Sequence, residues 1–239
     1  MGSYLPAVSY CRYADDFVVV VKGTHAHAEA IREACRTFLE GTLTLMLNME
    51  KTHITHVNDG FVFLGHRIIR KRGPRGHLRP VTTIPWEKYR SFTDKLVKEL
   101  SGNYSVHRMD LMESLNRTLS GWANFYQYTD YTATVFSRVD RTVFWKLGHW
   151  LARKYRRGFP SLMREHVRAP EPGRATTWVL KGQNSRGWYG EQALRRLVTS
   201  RKGQFRWRNP EGNPYLIRDE HRTFLESRYA DVAFALSNA

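Results

Sequence analysis

Cysteine is scarce in this chain of 239 residues: only Cys11 and Cys35 occur, and no Cys-x-x-Cys pair is present. This scarcity disfavours both a disulfide framework and a cysteine-based zinc site. It favours a reducing environment, and we expect a cytoplasmic location of bacterial type.

Long hydrophobic runs are also missing. The longest apolar run near the start covers residues 17–21 only, whereas a membrane-spanning helix needs about 20 consecutive apolar residues. The basic segment of a signal peptide does not precede it. We therefore expect a soluble protein without a membrane partner.

Acidic residues are outnumbered, and the imbalance is confined to one part of the chain. The sequence has 38 Lys and Arg against 22 Asp and Glu, which gives a formal charge of +16. Residues 1–60 contain five basic and seven acidic residues, so residues 61–239 carry +18. Because 41% apolar and 13% aromatic residues exclude wholesale disorder,, the composition predicts a folded protein that binds a polyanion.

The first 41 residues predict a hairpin followed by a helix. Residues 8–13 and 17–21 have the pattern of strands, and residues 14–16 form the tight turn between them,. Thr24 is expected to cap a helix that ends at Gly41 and covers one face of this sheet.

Two further strands and a basic loop are predicted next. The strands cover residues 53–57 and 61–69, and the turn residues 58–60 are expected to join them,. Residues 70–76 predict a second hairpin tip, which is rich in Arg and Lys.

From residue 85 the apolar spacing becomes helical, and it predicts three antiparallel helices up to residue 157,. We expect the aromatic residues of this region to pack in a core rather than to stack on bases: Trp122, Phe125, Trp145 and Trp150. Beyond Gly158 the periodicity weakens, and short helices at 190–200 and 218–229 are expected in a basic, partly ordered tail.

Asp15 and Asp16 are the candidate metal ligands at the first hairpin tip. Adjacent carboxylates at the rim of a sheet can hold Mg²⁺, but two-metal phosphoryl transfer needs at least one further carboxylate. By spacing alone, an ordinary solvated turn is the alternative interpretation.

Four motifs give the chain a specific resemblance. Residues 12–19, RYADDFVV, resemble the YADD motif of reverse transcriptases, and residues 47–54, LNMEKTHI, are similar to the L-x-x-EKT-x-I segment of group II intron reverse transcriptases. Residues 61–66, FVFLGH, resemble their primer-grip strand. Residues 115–126, LNRTLSGWANFY, are similar to the signature of the maturase, or X, domain. The motifs occur in the order of that family.

The resemblance implies an α+β fold in three parts: a partial reverse transcriptase palm over residues 1–80, a helical thumb and maturase-specific bundle over 81–157, and a basic tail over 158–239. Because the family's fingers and first palm aspartate lie upstream of YADD, it also implies the C-terminal portion of such a protein. We expect this portion to be inactive in DNA synthesis unless an upstream chain supplies the rest of the palm.

The implied function is binding of group II intron RNA, assistance in its splicing, and a contribution to RNA-directed DNA synthesis. The synthesis would use Mg²⁺, deoxynucleotides, an RNA template and a DNA primer. The alternative is an RNA-binding maturase module, or a truncated remnant, without catalysis.

Specific residues carry these implied roles. Asp15 and Asp16 correspond to the metal-binding pair, and Lys51 lies where a lysine could protonate the pyrophosphate leaving group; a surface lysine paired with Glu50 is the alternative. The implied primer and template contacts are Tyr13, Gly65 and His66. The alternative for Tyr13 is an ordinary strand aromatic, and the alternative for Gly65 is a simple bulge.

Basic residues predict the RNA-binding surface, because they accumulate along one helix and its continuation while the apolar stripe stays intact. The helical set consists of Arg138, Arg141, Lys146, Arg153, Lys154, Arg156 and Arg157. In the tail, basic residues alternate with tryptophan, a pattern typical of binding to structured or single-stranded RNA; a disordered basic arm is the alternative. The tail set consists of Arg195, Arg196, Arg206, Trp207 and Arg208.

Overall fold

A computed structural model describes residues 7–73 and 76–200 of the chain. These residues belong to one compact unit, Met1–Gly203, in which helices and small antiparallel sheets follow one another. The predicted α+β class is confirmed. Among the described residues, no helix is long and apolar enough to cross a membrane.

The first hairpin and helix form as predicted. Strands β1 (Ala7–Tyr13) and β2 (Asp16–Lys22) pair in antiparallel fashion, and helix α1 (His25–Thr42) begins after Thr24, whose hydroxyl accepts a hydrogen bond from the His27 amide at 3.3 Å. None of the residues in these three elements is buried. Helix α1 therefore does not bury the face of the β1–β2 sheet that it was predicted to cover.

The second sheet differs from the prediction at its turn. Strands β3 (Phe61–Phe63) and β4 (His66–Arg72) are joined by Leu64 and Gly65, and β5 (Leu78–Thr83) pairs with β4. Leu64 and Gly65 have φ values of 48° and 77°, which is typical of a two-residue hairpin turn. A single strand over residues 61–69 was therefore a wrong prediction, because leucine hides a turn that Asn-Gly normally signals.

The strand predicted over residues 53–57 is also wrong. These residues have no regular secondary structure, although residues 57–59 do turn. The Val57 carbonyl accepts a hydrogen bond from the Arg70 amide at 2.8 Å. This contact holds the segment beside β4 without forming a strand.

The three predicted helices are present. They are α2 (Trp86–Glu99), α3 (Arg108–Tyr126) and α4 (Thr132–Tyr155). Trp150 is buried and Trp122 is stacked on Phe92 at 4.3 Å, so both belong to the core region. Phe125 and Trp145 are 54% and 46% exposed, and their predicted place in the core was wrong.

Residues 159–200 continue the same hydrophobic core. They form α5 (Phe159–His166), the sheet β6 (Val167–Arg168), β7 (Thr177–Gln183) and β8 (Tyr189–Ala193), and a 3₁₀ helix, Leu197–Ser200. Core residues in this region pack in the same cluster as the helices, namely Leu162, Trp178, Leu180, Leu194 and Leu197.

The short helix predicted at 190–200 is wrong, because β8 and the 3₁₀ helix occupy it. The helix predicted at 218–229 lies outside the described residues. The division of the chain at residues 80 and 157 remains a prediction.

Hydrogen bonds attach the β3–β5 sheet to the end of α3. The Tyr126 hydroxyl donates to the Gly65 carbonyl at 3.1 Å, and burial raises the pKa of this hydroxyl. The Asp130 amide donates to the Thr82 carbonyl at 2.7 Å, and the Thr82 amide donates to an Asp130 carboxylate oxygen at 3.0 Å. The sheet is thereby fixed to the helices on two sides.

We expect the first 60 residues to open far more easily than the helices. Among the described residues up to 80, none is buried, and Val81 is the first that is. Local opening is cheapest where little apolar surface is buried. Hydrogen exchange followed by mass spectrometry should show rapid exchange in β1, β2 and α1, and slow exchange in α3 and α4. Equal protection in both regions would contradict this.

Candidate nucleic-acid interface

The YADD turn presents both carboxylates to solvent. Tyr13 pairs with Asp16, so Ala14 and Asp15 form the two-residue turn between them. Ala14 has φ +50°, a left-handed conformation that costs a non-glycine residue about 1 kcal/mol. The Arg12 guanidinium donates to the Ala14 carbonyl at 2.7 Å and helps to hold this conformation.

The YADD turn offers the type of ligand that Mg²⁺ prefers, but too few ligands for a two-metal site. Asp15 and Asp16 offer the carboxylate oxygens that this ion prefers. Among residues 7–73 and 76–200, no cluster of three or more acidic, His or Cys side chains could hold a metal ion. Two-metal chemistry needs a further carboxylate, so these two residues could supply only part of such a site.

Lys51 lies in a tight turn of its own. Its backbone amide donates to the Asn48 side-chain oxygen at 3.1 Å, and the Thr52 hydroxyl donates to the Asn48 carbonyl at 2.7 Å. In the part of the chain that the structure describes, no ion pair joins Lys51 to Glu50. No hydrogen bond joins Lys51 to the YADD turn either, and its role as a general acid remains a prediction.

Gly65 and His66 contact the end of α3. The His66 ring lies 4.9 Å from the Phe125 ring and 5.2 Å from the Tyr126 ring. A Cβ atom at Gly65 would lie 3.4 Å from the Phe125 ring. These contacts give Gly65 and His66 a structural role in packing the hairpin turn against α3. Binding of the primer by Tyr13, which is 65% exposed, and by Gly65 and His66 remains a prediction.

The charged side chains that are exposed along the outer face of α4 are basic. Arg138, Arg141 and Lys146 are exposed, while the apolar stripe faces the core. Asp140 is half-buried beside this face: its carboxylate accepts hydrogen bonds from the amides of Leu197 and Val198 at 2.7 and 3.2 Å. Burial raises the pKa of Asp140, and these two hydrogen bonds oppose the rise. The acid thus caps the 3₁₀ helix, and it also faces Arg196, whose charge likewise opposes the rise in the pKa of Asp140.

The basic residues at the end of α4 differ in their contacts. The Lys154 ammonium donates to the carbonyls of Tyr104 and Val106 at 2.6 and 2.8 Å, so its geometry is that of a structural residue. Arg153 donates to the Tyr104 hydroxyl at 3.1 Å, and Arg157 forms an ion pair with Glu165 at 2.7 Å. Arg156 is exposed at the left-handed C-cap, with φ +50°. Their contacts with RNA remain predictions.

A groove brings the two predicted basic sets together. It encloses about 430 Å³ between α4 and the segment that follows β8, and its lining includes the acid Asp140. Arg141, Trp145, Arg195 and Arg196 also line it. We call these four residues the arginine groove. The Trp145 indole is stacked on Phe159 at 5.3 Å with an interplanar angle of 15°, which holds the ring at the rim. The predicted Arg206, Trp207 and Arg208 lie outside the described residues.

Asn116 of α3 positions the far wall of this groove. Its side-chain nitrogen donates to the Ala193 carbonyl at 2.8 Å, and its side-chain oxygen accepts from the Arg195 amide at 2.8 Å. The Arg195 guanidinium donates to the Ser200 hydroxyl at 2.9 Å. Asn116 belongs to the maturase-like signature, but sequence reasoning assigned it no role. Trp145 was also missed, although it follows Arg138 and Arg141 at helical spacing.

Two family models match the chain in sequence order. Residues 2–68 match the reverse transcriptase (RNA-dependent DNA polymerase) family, and residues 89–168 match the group II intron maturase-specific domain. The first match contains the YADD turn, and the second contains α3 and α4. Strands β7 and β8 lie beyond both matches.

Individual relatives agree with these matches. The chain is 67% identical over 91 residues to protein YkfC of Escherichia coli, covering 38% of this chain and 24% of that protein. It is 31% identical over 144 residues to the group II intron-encoded protein LtrA of Lactococcus lactis, covering 50% of this chain and 24% of LtrA. A putative COX1/OXI3 intron 2 protein of Saccharomyces cerevisiae is 33% identical over 79 residues, covering 33% of this chain and 8% of the yeast protein.

The chain spans about a quarter of the length of YkfC and LtrA. The two matched models and these relatives together show that the chain belongs to the family of group II intron reverse transcriptases and maturases.

Proposed function

We propose that this chain binds group II intron RNA through the arginine groove and assists splicing of that RNA. The observation that carries the proposal is the convergence of Arg141, Arg195 and Arg196 beside the half-exposed Trp145. Guanidinium groups bind phosphates in forked geometry, and an exposed indole stacks on unpaired bases. The groove therefore offers both kinds of contact that a folded RNA needs.

Electrostatics supports the same function. Three arginines and one acid, Asp140, line the groove, so its formal charge stays positive although Asp140 faces Arg196. The formal charge of +18 on residues 61–239 adds long-range attraction for a polyanion. Binding to several phosphates releases counterions, and the affinity should fall steeply with salt.

A second candidate function is a contribution to RNA-directed DNA synthesis. The exposed carboxylates of Asp15 and Asp16 in the YADD turn, together with the match to the reverse transcriptase family, favour it. In this function Asp15 and Asp16 would hold Mg²⁺, which when bound neutralises developing charge on a phosphoryl group. The substrates would be deoxynucleotides and a primed RNA template. A further chain would supply the remaining palm.

The arginine groove is tested by removing its charge. We expect the triple variant Arg141→Gln, Arg195→Gln, Arg196→Gln to bind intron RNA about 100-fold more weakly at 0.1 M salt. The reason is that each lost phosphate contact also removes the release of its counterions. The negative slope of log affinity against log salt should therefore become less steep by roughly 0.7 to 0.9 per contact. Filter binding over a salt series measures both quantities.

A matched control separates the groove from general charge. Arg36, Arg117 and Arg174 are each paired with an acid in their own segment, and changing these three to Gln removes the same formal charge. This control variant should change the affinity little. An equal loss in both triple variants would place binding on a diffuse surface and contradict the proposal. Lys154 is left intact in every variant, because its two carbonyl contacts support the fold.

A further inference from the structure

The tip of the β7–β8 hairpin carries two exposed aromatic side chains. Trp188 is 55% exposed and Tyr189 is 64% exposed. Both lie beyond residues 89–168, where the match to the maturase-specific domain ends. Large aromatic rings on the surface of a hairpin tip need an explanation, because core packing does not supply one.

The loop that presents these rings is internally fixed. The Asn184 side-chain oxygen accepts from the amides of Arg186 and Trp188 at 3.0 and 2.9 Å. The Asn184 amide donates to the Trp188 carbonyl at 2.8 Å, and Gln183 donates to the Gly187 carbonyl at 2.7 Å. Because these hydrogen bonds already order the loop, binding of a ligand costs the loop little further conformational entropy.

The indole itself is held against the backbone. A Cβ atom at Gly190 would overlap the Trp188 ring, with the ring atom Cζ2 only 2.8 Å away. Glycine at this position therefore lets one face of the indole lie on its own strand. Among the described residues, no second aromatic ring packs on Trp188, and more than half of its surface is exposed.

The charges around the tip favour an anionic ligand. Arg186 lies in the tip, and the Lys181 ammonium lies 5.9 Å from the centre of the Tyr189 ring. The neighbouring acids are engaged: Asp110 accepts a hydrogen bond from the Ser185 amide at 3.2 Å, and Glu191 is paired with Arg168. Asp110 also faces Arg186, and Glu191 lies opposite Lys181 in the strand register. Arg168 and Arg108, which contact the same hairpin, keep an excess of positive charge there.

We propose that the β7–β8 tip is a stacking platform for unpaired bases of RNA, with Trp188 as the principal ring and Arg186 and Lys181 as phosphate contacts. The inference rests on the proposed RNA-binding function and adds a second contact for unpaired bases to the one that Trp145 offers in the groove. Base–aromatic stacking flanked by basic residues is the usual way in which proteins bind unpaired strands. Two rings cover at most roughly 500 Å², less than the roughly 800 Å² per partner of a stable protein interface.

The platform lies within reach of the same RNA molecule. Strand β7 starts at Thr177, which lines the arginine groove, and ends at Gln183 beside the tip. Seven residues at about 3.3 Å each separate the two sites by about 20 Å,. One folded RNA can therefore place its backbone in the groove and an unpaired segment on Trp188.

The test compares single-stranded and duplex RNA on the full chain. We expect Trp188→Ala to weaken binding of an unstructured RNA oligonucleotide roughly 5- to 100-fold, while Trp188→Phe retains most of the affinity. Binding of an RNA duplex of equal length should be unchanged in both variants. The salt slope should also be unchanged, because stacking neutralises no phosphate. An oligonucleotide that contains 2-aminopurine should lose its stacking-dependent quenching with Trp188→Ala only.

Each other outcome overturns the inference or the proposed function separately. Unchanged affinity of Trp188→Ala for the single strand overturns the platform, as does an equal loss for strand and duplex. A change of sedimentation behaviour without any effect on RNA would assign the tip to protein contacts instead. If the triple arginine variant binds normally while Trp188→Ala is impaired, the groove fails and the platform stands. A melting curve with an unchanged midpoint shows that Trp188→Ala folds.

Discussion

Replacing Trp178 by alanine is expected to lower the free energy of unfolding by about 3 to 5 kcal/mol, the range for a large buried aromatic. Trp178 has 0% exposure, and its indole donates to the Phe144 carbonyl of α4 at 2.8 Å. Its ring lies 5.5 Å from Phe144 and 6.0 Å from Phe159. Truncation removes these contacts and the indole hydrogen bond, and it leaves a cavity.

Trp188 provides the matched control for this prediction. It is a tryptophan in the same hairpin but is 55% exposed, and surface substitutions usually change stability by no more than about 0.5 kcal/mol. Urea denaturation of the two alanine variants therefore measures the difference between a core and a surface indole. Similar small losses in both would mean that β7 is not part of the core that α3 and α4 form.

The buried position of Trp178 also affects the groove. Trp178 is followed in β7 by Val179 and Leu180, and all three are buried. Anchoring of β7 on α4 fixes the neighbouring Thr177, which lines the groove beside Arg141. We expect Trp178→Ala to disturb this wall, so RNA binding of this variant is informative only where its folded fraction is known.

Local patterns in the sequence predicted the parts of the fold that local interactions decide. The apolar spacing of α3 and α4 agrees with their buried stripes, because a helix repeats every 3.6 residues whatever it packs against. The hairpin around the YADD turn was equally readable, since two short apolar strands flank a polar turn. The family resemblance added the predicted roles of Asp15 and Asp16, which spacing alone could not distinguish from an ordinary turn.

Elements that depend on distant contacts were not predicted. Strand β7 has a continuous buried run at residues 177–180, and such a run lacks the alternation of a half-exposed strand. The Leu64-Gly65 turn carries a leucine at positive φ, where sequence preferences expect Asn or Gly. Trp145 was placed in the core because tryptophan is typical of a core, although helical spacing puts it opposite the buried stripe of α4,.

In the candidate site too, local features were predicted from the sequence and contacts between distant residues were not. Arg141 and the pair Arg195 and Arg196 were both predicted to bind RNA, but their meeting in one groove depends on Asn116, which holds residues 193–195 against α3. Nothing in the local sequence around either set indicates this contact. The exposed indole of Trp188 escaped notice for a similar reason, because tryptophan is typical of a core until its surroundings are known.

The chain alone is expected to give no template-dependent DNA synthesis with Mg²⁺, deoxynucleotides and a primed RNA template. Among the described residues, no third acidic side chain joins Asp15 and Asp16, and two-metal phosphoryl transfer needs one. No residue of β1 or β2 is buried, so little packing holds the turn in place. Primer extension followed on a denaturing gel measures this, with the RNA affinity of the same sample as proof of folding.

The variants Asp15→Ala and Asp16→Ala complete the test. Both should bind intron RNA with unchanged affinity and an unchanged salt slope, because the YADD turn and the arginine groove belong to different elements and only the groove is basic. Lower RNA affinity in either aspartate variant would move the binding surface toward the palm segment. Primer extension that is lost in Asp15→Ala would show that a carboxylate outside residues 7–73 and 76–200, or one that moves when RNA binds, completes the metal site.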